Sequence, residues 1–272
     1  GNLHLGHVYS ALTAYQYSRN KNGKFKLRLE DIDHTRCSSK YEEQIVADLA
    51  WLGIDWDGPI MKQSKRFKNY LAALDQLKTA GIIYPCSCTR SDIKNAITAP
   101  HNQNDSPPIY PGTCLNIVPT RRVRALRLNL KKALHQIESK SLFFYECGFS
   151  VGNYQHKQEI NEYDLIKKFG DVVLARKDIG TSYNLSVVID DSAQNVSHVT
   201  RGIDLFEITP IQVLLQKLLG LRTPVYRHHK LLYDHSGKKL SKRNSPDTVI
   251  AMRNNGASAK DIIKLAFSHN SQ

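Results

Sequence analysis

Between positions 7 and 19, apolar residues recur at Val8, Ala11, Leu12, Ala14 and Tyr15, the spacing of one helical face. The rhythm then changes: Phe25, Leu27 and Leu29 alternate with Lys24, Lys26, Arg28 and Glu30, which predicts a strand. The opening therefore reads as loop, helix, strand. Ser39 followed by Glu42 predicts a capping box before a helix whose apolar positions, Ile45, Val46, Leu49 and Leu52, stop at Gly53. Ser64 and Gly81 frame a second helix carrying Tyr70, Leu71, Leu74 and Leu77. Helices alternating with strands predict an α/β fold.

The pattern breaks after Cys86. A stretch rich in Pro, Asn and Asp, Ala99 to Gly112, leads into the basic, strand-like Arg121 to Leu130 and then the aromatic cluster Phe143, Phe144 and Tyr145. Up to about Gly170 this reads as an inserted subdomain. Regular rhythm returns with the strand-like Asp171 to Ala175. The apolar run Val187 to Ile189 reads as a strand entering an acidic loop at Asp190 and Asp191, and a helix follows, opened by Thr209 and Pro210 and closed by Gly220. From Lys238 the chain holds a basic loop and two short amphipathic helices, around Val249 to Arg253 and Ala259 to Phe267. The expected division is 1–85, 86–170, 171–220 and 221–272, with the first and third parts forming one domain.

Composition narrows the partners. The 272 residues are 41 % hydrophobic and 23 % charged, too apolar for a disordered chain and long enough for a sizeable core. No run of about 18 apolar residues predicts a membrane span. Against 25 Asp and Glu stand 38 Lys and Arg, a formal charge of +13 that favours a polyanionic partner, most often nucleic acid. No obligate protein partner is evident. Five cysteines, two of them one residue apart at Cys86 and Cys88, suit a shared metal and a reducing, cytoplasmic setting better than a disulfide framework. Cys37 and Cys147 have no partner spacing and read as small core residues or ordinary thiols.

Two segments carry candidate chemistry. His4, Leu5, Gly6 and His7 sit where a glycine-bearing loop enters a helix, so backbone N–H groups and two imidazoles face one anion there, unless both are plain surface histidines. Lys238-Lys239-Leu240-Ser241-Lys242-Arg243 follows Gly237 as a cluster of cations on a loop, which is either a phosphate-binding element or a solvated face.

Together these segments resemble the paired signatures of the class I aminoacyl-tRNA synthetases. Arg28-Leu29-Glu30-Asp31-Ile32-Asp33 with Arg36, Ser182-Tyr183-Asn184-Leu185, Val188-Ile189-Asp190-Asp191 and Arg201-Gly202-Ile203-Asp204 resemble the glutamyl branch of that class. Within the branch, only 29 residues after Arg243 and the pattern Cys86, Cys88, Tyr110, Cys114 resemble the glutamyl-Q tRNA(Asp) synthetases, which lack an anticodon-binding domain. The chain starts at Gly1 without methionine. The family's Arg-Phe-Ala-Pro-Ser-Pro-Thr type of segment, which helps hold glutamate and ATP, and the natural N-terminus are expected upstream of it.

The resemblance implies a Rossmann-type catalytic domain split by a zinc-bearing insertion, followed by a small helical stem-contact region. It implies ATP-dependent, tRNA-independent activation of L-glutamate and transfer to the queuosine base at the wobble position of tRNA(Asp); the alternative readings are a truncated glutamyl- or glutaminyl-tRNA synthetase charging a tRNA 3′ end and an RNA-binding paralogue without catalysis. His4, Gly6, His7, Lys239 and Lys242 would bind ATP, with His4, His7 and Lys242 meeting the reacting phosphates and ATP arriving with magnesium. Glu30 would take the substrate ammonium, and Tyr183 and Arg201 would recognise glutamate, with Arg201 able to fork onto a carboxylate. Cys86, Cys88, Tyr110 and Cys114 would hold one structural zinc, although Tyr110 is open to a second reading as a packed aromatic beside a site completed by water. Arg243 and Leu240 depart from the usual serine and methionine of the second signature. Asp31, Asp33, Asp190 and Asp191 would position arginines or the ribose. Arg121, Arg122, Arg124, Arg127, Lys131 and Lys132, and Arg222, Arg227, His228, His229 and Lys230, are either phosphate-tracking patches or solvated faces.

Overall fold

The computed structural model describes residues 1–33, 35, 37–97, 109–119, 122–137, 141–148, 156–233 and 248–268. The chain runs α1 (Leu5–Asn20), β1 (Arg28–Leu29), α2 (Ser39–Trp51), β2 (Met61–Lys62), α3 (Phe67–Thr79), β3 (Ile83–Cys86) and α4 (Arg90–Ile97). It continues through β4 (Ala125–Leu128), α5 (Leu130–Gln136), β5 (Phe143–Glu146), β6 (His156–Glu159), α6 (Glu162–Phe169) and β7 (Val173–Arg176). The last part is α7 (Tyr183–Ala193), β8 (His198–Gly202), α8 (Thr209–Leu218), β9 (Val225–His229), α9 (Val249–Asn254) and α10 (Ala259–Ser268).

Among the described residues three sheets organise these elements. β1 pairs in parallel with β2; β3, β4 and β7 form an antiparallel sheet; and β6, β5, β9 and β8 form a four-stranded mixed sheet with β9 parallel to both β5 and β8. These pairings run across positions 86 and 170, because β3 joins β4 and β4 joins β7. The aromatic segment of β5 also pairs with β9, far along the chain.

One core gathers Leu74, Leu77, Leu128, Leu174, Leu185, Leu214 and Tyr226 between these sheets and α3, α5, α7 and α8. A second core joins the two ends of the chain: Leu3, Leu5, Val8, Leu12 and Ile54 pack with Leu232, Val249, Ile262 and Ala266. Val249 N–H donates to Leu3 C=O at 2.9 Å, and Thr248 forms an isolated bridge with His4. The residues flanking the second signature are thereby anchored beside the first. The signature itself, with Lys239 and Lys242, lies outside the described residues, as do Arg36 and Arg121.

Several expectations change. The strand predicted over residues 24–30 shortens to Arg28–Leu29. Its partner β2 is Met61–Lys62, Pro59 just upstream has no N–H to give, and the earlier contacts are single bonds such as Asp57 N–H to Phe25 C=O. The capping box at Ser39 does not form: the helix starts there behind Ser38, which makes no side-chain cap bond, and Glu42 instead accepts from Lys62 Nζ at 2.5 Å. Ser64 does not cap α3, because its hydroxyl donates to Asp31 at 2.6 Å.

The largest change is at Val187 to Ile189, which is helical within α7 and not a strand. Ser182 caps that helix by accepting from Leu185 N–H, and Asp190 and Asp191 therefore sit on a buried helical turn rather than in a loop. Arg127, Arg227, His228 and His229 are buried, so they are not part of a phosphate-tracking surface. Arg127 lies 3.7 Å over the Tyr110 ring and Arg227 4.5 Å over the Tyr17 ring. Cys147 is exposed rather than a core residue. Among the described residues no helix is long and apolar enough to cross a membrane.

Candidate active site

The start of α1 decides what His4 and His7 offer. His4 is the N-cap: its Nδ1 accepts the Gly6 N–H at 3.1 Å, while His7 Nδ1 accepts the His4 N–H at 3.2 Å. This is a capping box made from imidazoles in place of Ser and Glu. Because both Nδ1 atoms accept, a neutral ring carries its proton on Nε2 in each case. The two rings, with centroids 3.8 Å apart, thus present Nε2 donors beside a helix N-terminus, a suitable arrangement for phosphate. A Cβ at position 6 would lie 2.9 Å from the His4 ring, so a side chain there would push the imidazole from its place.

A second constellation lies at the end of β1. Arg28 Nη1 donates to Asp191 Oδ1 at 2.8 Å and to Gln194 Oε1 at 3.0 Å, and its Nη2 reaches Glu30 Oε1 at 3.4 Å. The surrounding protein raises the Glu30 carboxyl above the usual range; Arg28 opposes this and the Asp191 charge adds to it. Burial raises the Tyr183 hydroxyl, Glu30 reinforces the shift, and Arg201 opposes it by charge and hydrogen bond. Glu30, Tyr183 and Arg201, distant in sequence, therefore share one electrostatic environment with Arg28 and Asp191.

Arg201 is buried, and its guanidinium is committed in an unforeseen way. Nε donates to His228 Nε2 at 3.1 Å, Nη1 to Gln212 Oε1 at 2.7 Å, and Nη2 to Thr209 Oγ1 at 2.7 Å and Leu205 C=O at 3.4 Å. Four of five N–H bonds thus have protein acceptors, so the two-pronged fork onto a substrate carboxylate is not on offer in this arrangement. The guanidinium also bonds Tyr183, so what it brings to the site is a fixed positive charge.

The acidic residues act as struts. Asp190, fully buried, accepts from Arg66 Nε at 2.6 Å, Tyr70 hydroxyl at 2.8 Å and Gln63 Nε2 at 2.9 Å, locking α7 to α3. Asp31 accepts from both the backbone and the hydroxyl of Ser64, and Asp33 accepts from Thr35. Asp190 and Asp191 thus hold arginines, Arg66 and Arg28, as expected, whereas Asp31 and Asp33 hold the hydroxyl residues Ser64 and Thr35. Sequence reading missed Arg28 as the partner of Asp191, Arg66, Gln212 and Glu146. A usable signal existed for Glu146: in Phe143-Phe144-Tyr145-Glu146 the period of two puts Glu146 on the same inward face as Phe144.

A separate cluster forms where β3 leads into the loop before α4. The sulfurs of Cys86, Cys88 and Cys114 lie within 4.8 Å of one another, and the Tyr110 hydroxyl is 3.5 Å from Cys86 Sγ and 3.7 Å from Cys88 Sγ. Zn–S bonds of about 2.3 Å and a Zn–O bond of about 2.0 Å at tetrahedral angles require S···S near 3.7 Å and S···O near 3.5 Å. The observed spacing fits that donor set. Burial opposes the Cys114 thiolate, yet hydrogen bonds from Tyr110, the Ser87 N–H and the neighbouring thiols outweigh it and lower that thiol to about 6. Burial pushes Cys88 up to about 11.

Comparison with known proteins gives this geometry a family. Residues 1–265 match the model of tRNA synthetases class I (E and Q), catalytic domain. The glutamyl-Q tRNA(Asp) synthetase of Rhodobacter capsulatus is 44 % identical over 268 residues, covering 97 % of this chain and 95 % of that protein. The chain belongs to the glutamyl-Q tRNA(Asp) synthetases. It is thus a class I tRNA synthetase-like ligase. The glutamyl-Q tRNA(Asp) synthetase of Nitratidesulfovibrio vulgaris is 38 % identical, covering 96 % of this chain and 81 % of its own. Among solved structures, a glutamate tRNA ligase from Elizabethkingia meningosepticum superposes with a TM-score of 0.70 at 24 % identity. That match covers 94 % of this glutamyl-Q-type chain and 51 % of the solved one, so the two share the α/β catalytic fold over about half of the longer protein.

Proposed function

We propose that this chain activates L-glutamate with ATP, without needing tRNA, and transfers it to the queuosine base at the wobble position of tRNA(Asp). The observation that supports this most is the convergence of Glu30, Tyr183 and Arg201 in a chain 44 % identical, almost end to end, to a protein of that name. A glutamate carboxylate attacks the α-phosphorus of ATP, the bond to the bridging oxygen breaks, and pyrophosphate leaves with that electron pair. The reaction joins two anions, so its barrier falls through positioning and charge, and no covalent enzyme nucleophile is needed.

Glu30 receives the substrate ammonium, and Tyr183 with Arg201 reads the side-chain carboxylate. His4 and His7 donate from Nε2 to the phosphates, while Gly6 keeps the approach open. Lys239 and Lys242 meet the charge on departing pyrophosphate, and ATP arrives as its magnesium complex. Each well-placed donor is worth about 3 to 4 kcal/mol in the transition state. The working domains are the two halves of the catalytic domain, 1–85 and 171–220, the insertion 86–170 and the stem-contact region 221–272, in a cytoplasmic protein.

Cys86, Cys88, Tyr110 and Cys114 would hold one zinc ion, which when bound closes the loop-rich insertion as a structural cross-link. The purified protein is expected to carry one zinc per chain by atomic absorption, and Cys114→Ser to lower that content and the melting temperature together. Zinc content unchanged by Cys114→Ser would refute the assignment.

Because Glu30 must be ionised to hold an ammonium and its carboxyl is raised, lowering the pH through its raised value removes the counter-charge. The KM for glutamate is therefore expected to rise as pH falls, while the KM for ATP does not follow. Glu30→Gln should flatten that profile at a high KM.

The direct test of the activation step is glutamate-dependent exchange of labelled pyrophosphate into ATP with no RNA present. Exchange supports the reading. Exchange that appears only when tRNA(Glu) or tRNA(Gln) is added would mark a conventional synthetase catalytic core instead.

A further inference from the structure

Arg201 is held by a buried relay whose far end is a carboxylate. Glu146 Oε2 lies 2.6 Å from His228 Nδ1, and His228 Nε2 lies 3.1 Å from Arg201 Nε. The three side chains are almost wholly buried, at 4 %, 1 % and 8 % exposure. A guanidinium can only donate, so His228 Nε2 must be an acceptor, and the imidazole proton belongs on Nδ1, facing Glu146. Burial lowers the His228 pKa, which keeps the ring neutral and preserves that arrangement.

The surroundings fix each member. Glu146 Oε1 accepts the His228 N–H at 2.9 Å and the Gly148 N–H at 2.7 Å, so its other oxygen is left to the imidazole. The turn admits no side chain: a Cβ at Gly148 would lie 2.5 Å from Glu146 Oε1 and 2.4 Å from the His228 carbonyl oxygen. The His228 ring stacks parallel to Tyr226 and meets Phe206 edge-on. Arg201 lies 5.0 Å over the Tyr226 ring.

We infer that Glu146 and His228 are positioning residues that set the tautomer and orientation of a buried imidazole so that Arg201 is aimed, through one committed N–H, at the carboxylate of the amino-acid substrate. The inference rests on the proposed function for the identity of that substrate. The arrangement follows the logic of an oriented histidine, a carboxylate on one ring nitrogen dictating what the other can do. Here the other nitrogen steers a cation. The relay joins β5, β9 and β8, the three strands that bring these residues together across more than 80 positions of sequence.

Two sets of variants test it by glutamate KM, ATP KM and kcat in the exchange assay. In Glu146→Gln the amide nitrogen replaces the oxygen facing Nδ1, so it drives the imidazole proton to Nε2, where it opposes the Arg201 N–H. The fold is nearly isosteric, yet glutamate KM should rise about tenfold, the worth of one charged hydrogen bond, with ATP KM unchanged. Nitrogen NMR of the His228 ring should report the change from the Nδ1–H to the Nε2–H tautomer.

The second set compares His228→Gln with His228→Asn. A Gln amide reaches the position of Nε2 and keeps an acceptor for Arg201, whereas an Asn amide reaches only Nδ1 and keeps the Glu146 bond. Both lose the ring, so a merely structural role would affect them alike. The expected result is a glutamate KM within about threefold of the parent for Gln and about tenfold higher for Asn. Equal KM values in the pair overturn the inference, and so does Glu146→Gln with glutamate KM unchanged or with both KM values raised together. Exchange by the parent enzyme tests the proposed function separately, so a failed relay leaves that reading standing.

Discussion

Asp190→Ala is expected to destabilise the protein by roughly 3 to 5 kcal/mol, the cost of breaking a buried ion pair from one side. The carboxylate is fully buried and accepts from Arg66, Tyr70 and Gln63, which come from the α3 region while Asp190 comes from α7. Removing it leaves the Arg66 guanidinium without its counter-charge, and leaves the hydroxyl of Tyr70 and the amide of Gln63, both fully buried, without their acceptor. Burial, which the substitution leaves in place, is the largest cause raising the Tyr70 hydroxyl above its ordinary value, so Tyr70 is not poised to compensate by ionising. Asp190→Asn, which keeps one acceptor oxygen and the volume, should lose less. Urea denaturation checks both: the midpoint should fall in the order parent, Asn, Ala with an unchanged slope. An Ala midpoint matching the parent would mean that the α3–α7 lock carries no stability.

His4→Ala should lower the rate of pyrophosphate exchange by about 10² to 10³, the effect of deleting one donor aimed at charge that develops in the transition state. The variant also loses an N-cap, which costs about 1 kcal/mol, so lower stability accompanies lower activity. His4→Asn separates the two. Asn is among the best caps and can accept the Gly6 N–H as His4 Nδ1 does, but it has no group at the place of Nε2. It is expected to melt with the parent while exchanging as slowly as the Ala variant. Full exchange activity in His4→Asn would show that His4 serves only to cap α1.

Much of this arrangement was legible where a residue's own chemistry dictates its setting. The apolar faces of α1, α3 and α10, the Gly81 and Gly220 stops, and the Cys86–Cys88 pair as metal ligands emerge from spacing and residue type, whereas Tyr110 and Cys114 joined that pair through family resemblance. The paired signatures and Glu30, Tyr183 and Arg201 came from family resemblance, and the structure brings the last three together. What was hidden is burial of polar residues by partners distant in sequence. Val187-Val188-Ile189 is β-branched and reads as a strand, but Ser182 caps it as a helix and Asp190 finds three donors inside the protein. Likewise Arg227, His228 and His229 look like a surface for phosphate. As part of a strand hydrogen-bonded on both sides they are enclosed, with His228 satisfied by Glu146 and Arg201 and His229 by Ser10. No local pattern reports a donor and acceptor 82 positions apart.

Transfer to a modified base is tested by following labelled glutamate onto tRNA. Enzyme, ATP and labelled glutamate are incubated with queuosine-containing tRNA(Asp), queuosine-free tRNA(Asp), tRNA(Glu) and tRNA(Gln), and the label is located by nuclease digestion. Label is expected on queuosine-containing tRNA(Asp) alone, recovered with the wobble nucleoside. Label on a 3′-terminal adenosine, or on tRNA(Asp) lacking queuosine, would contradict it.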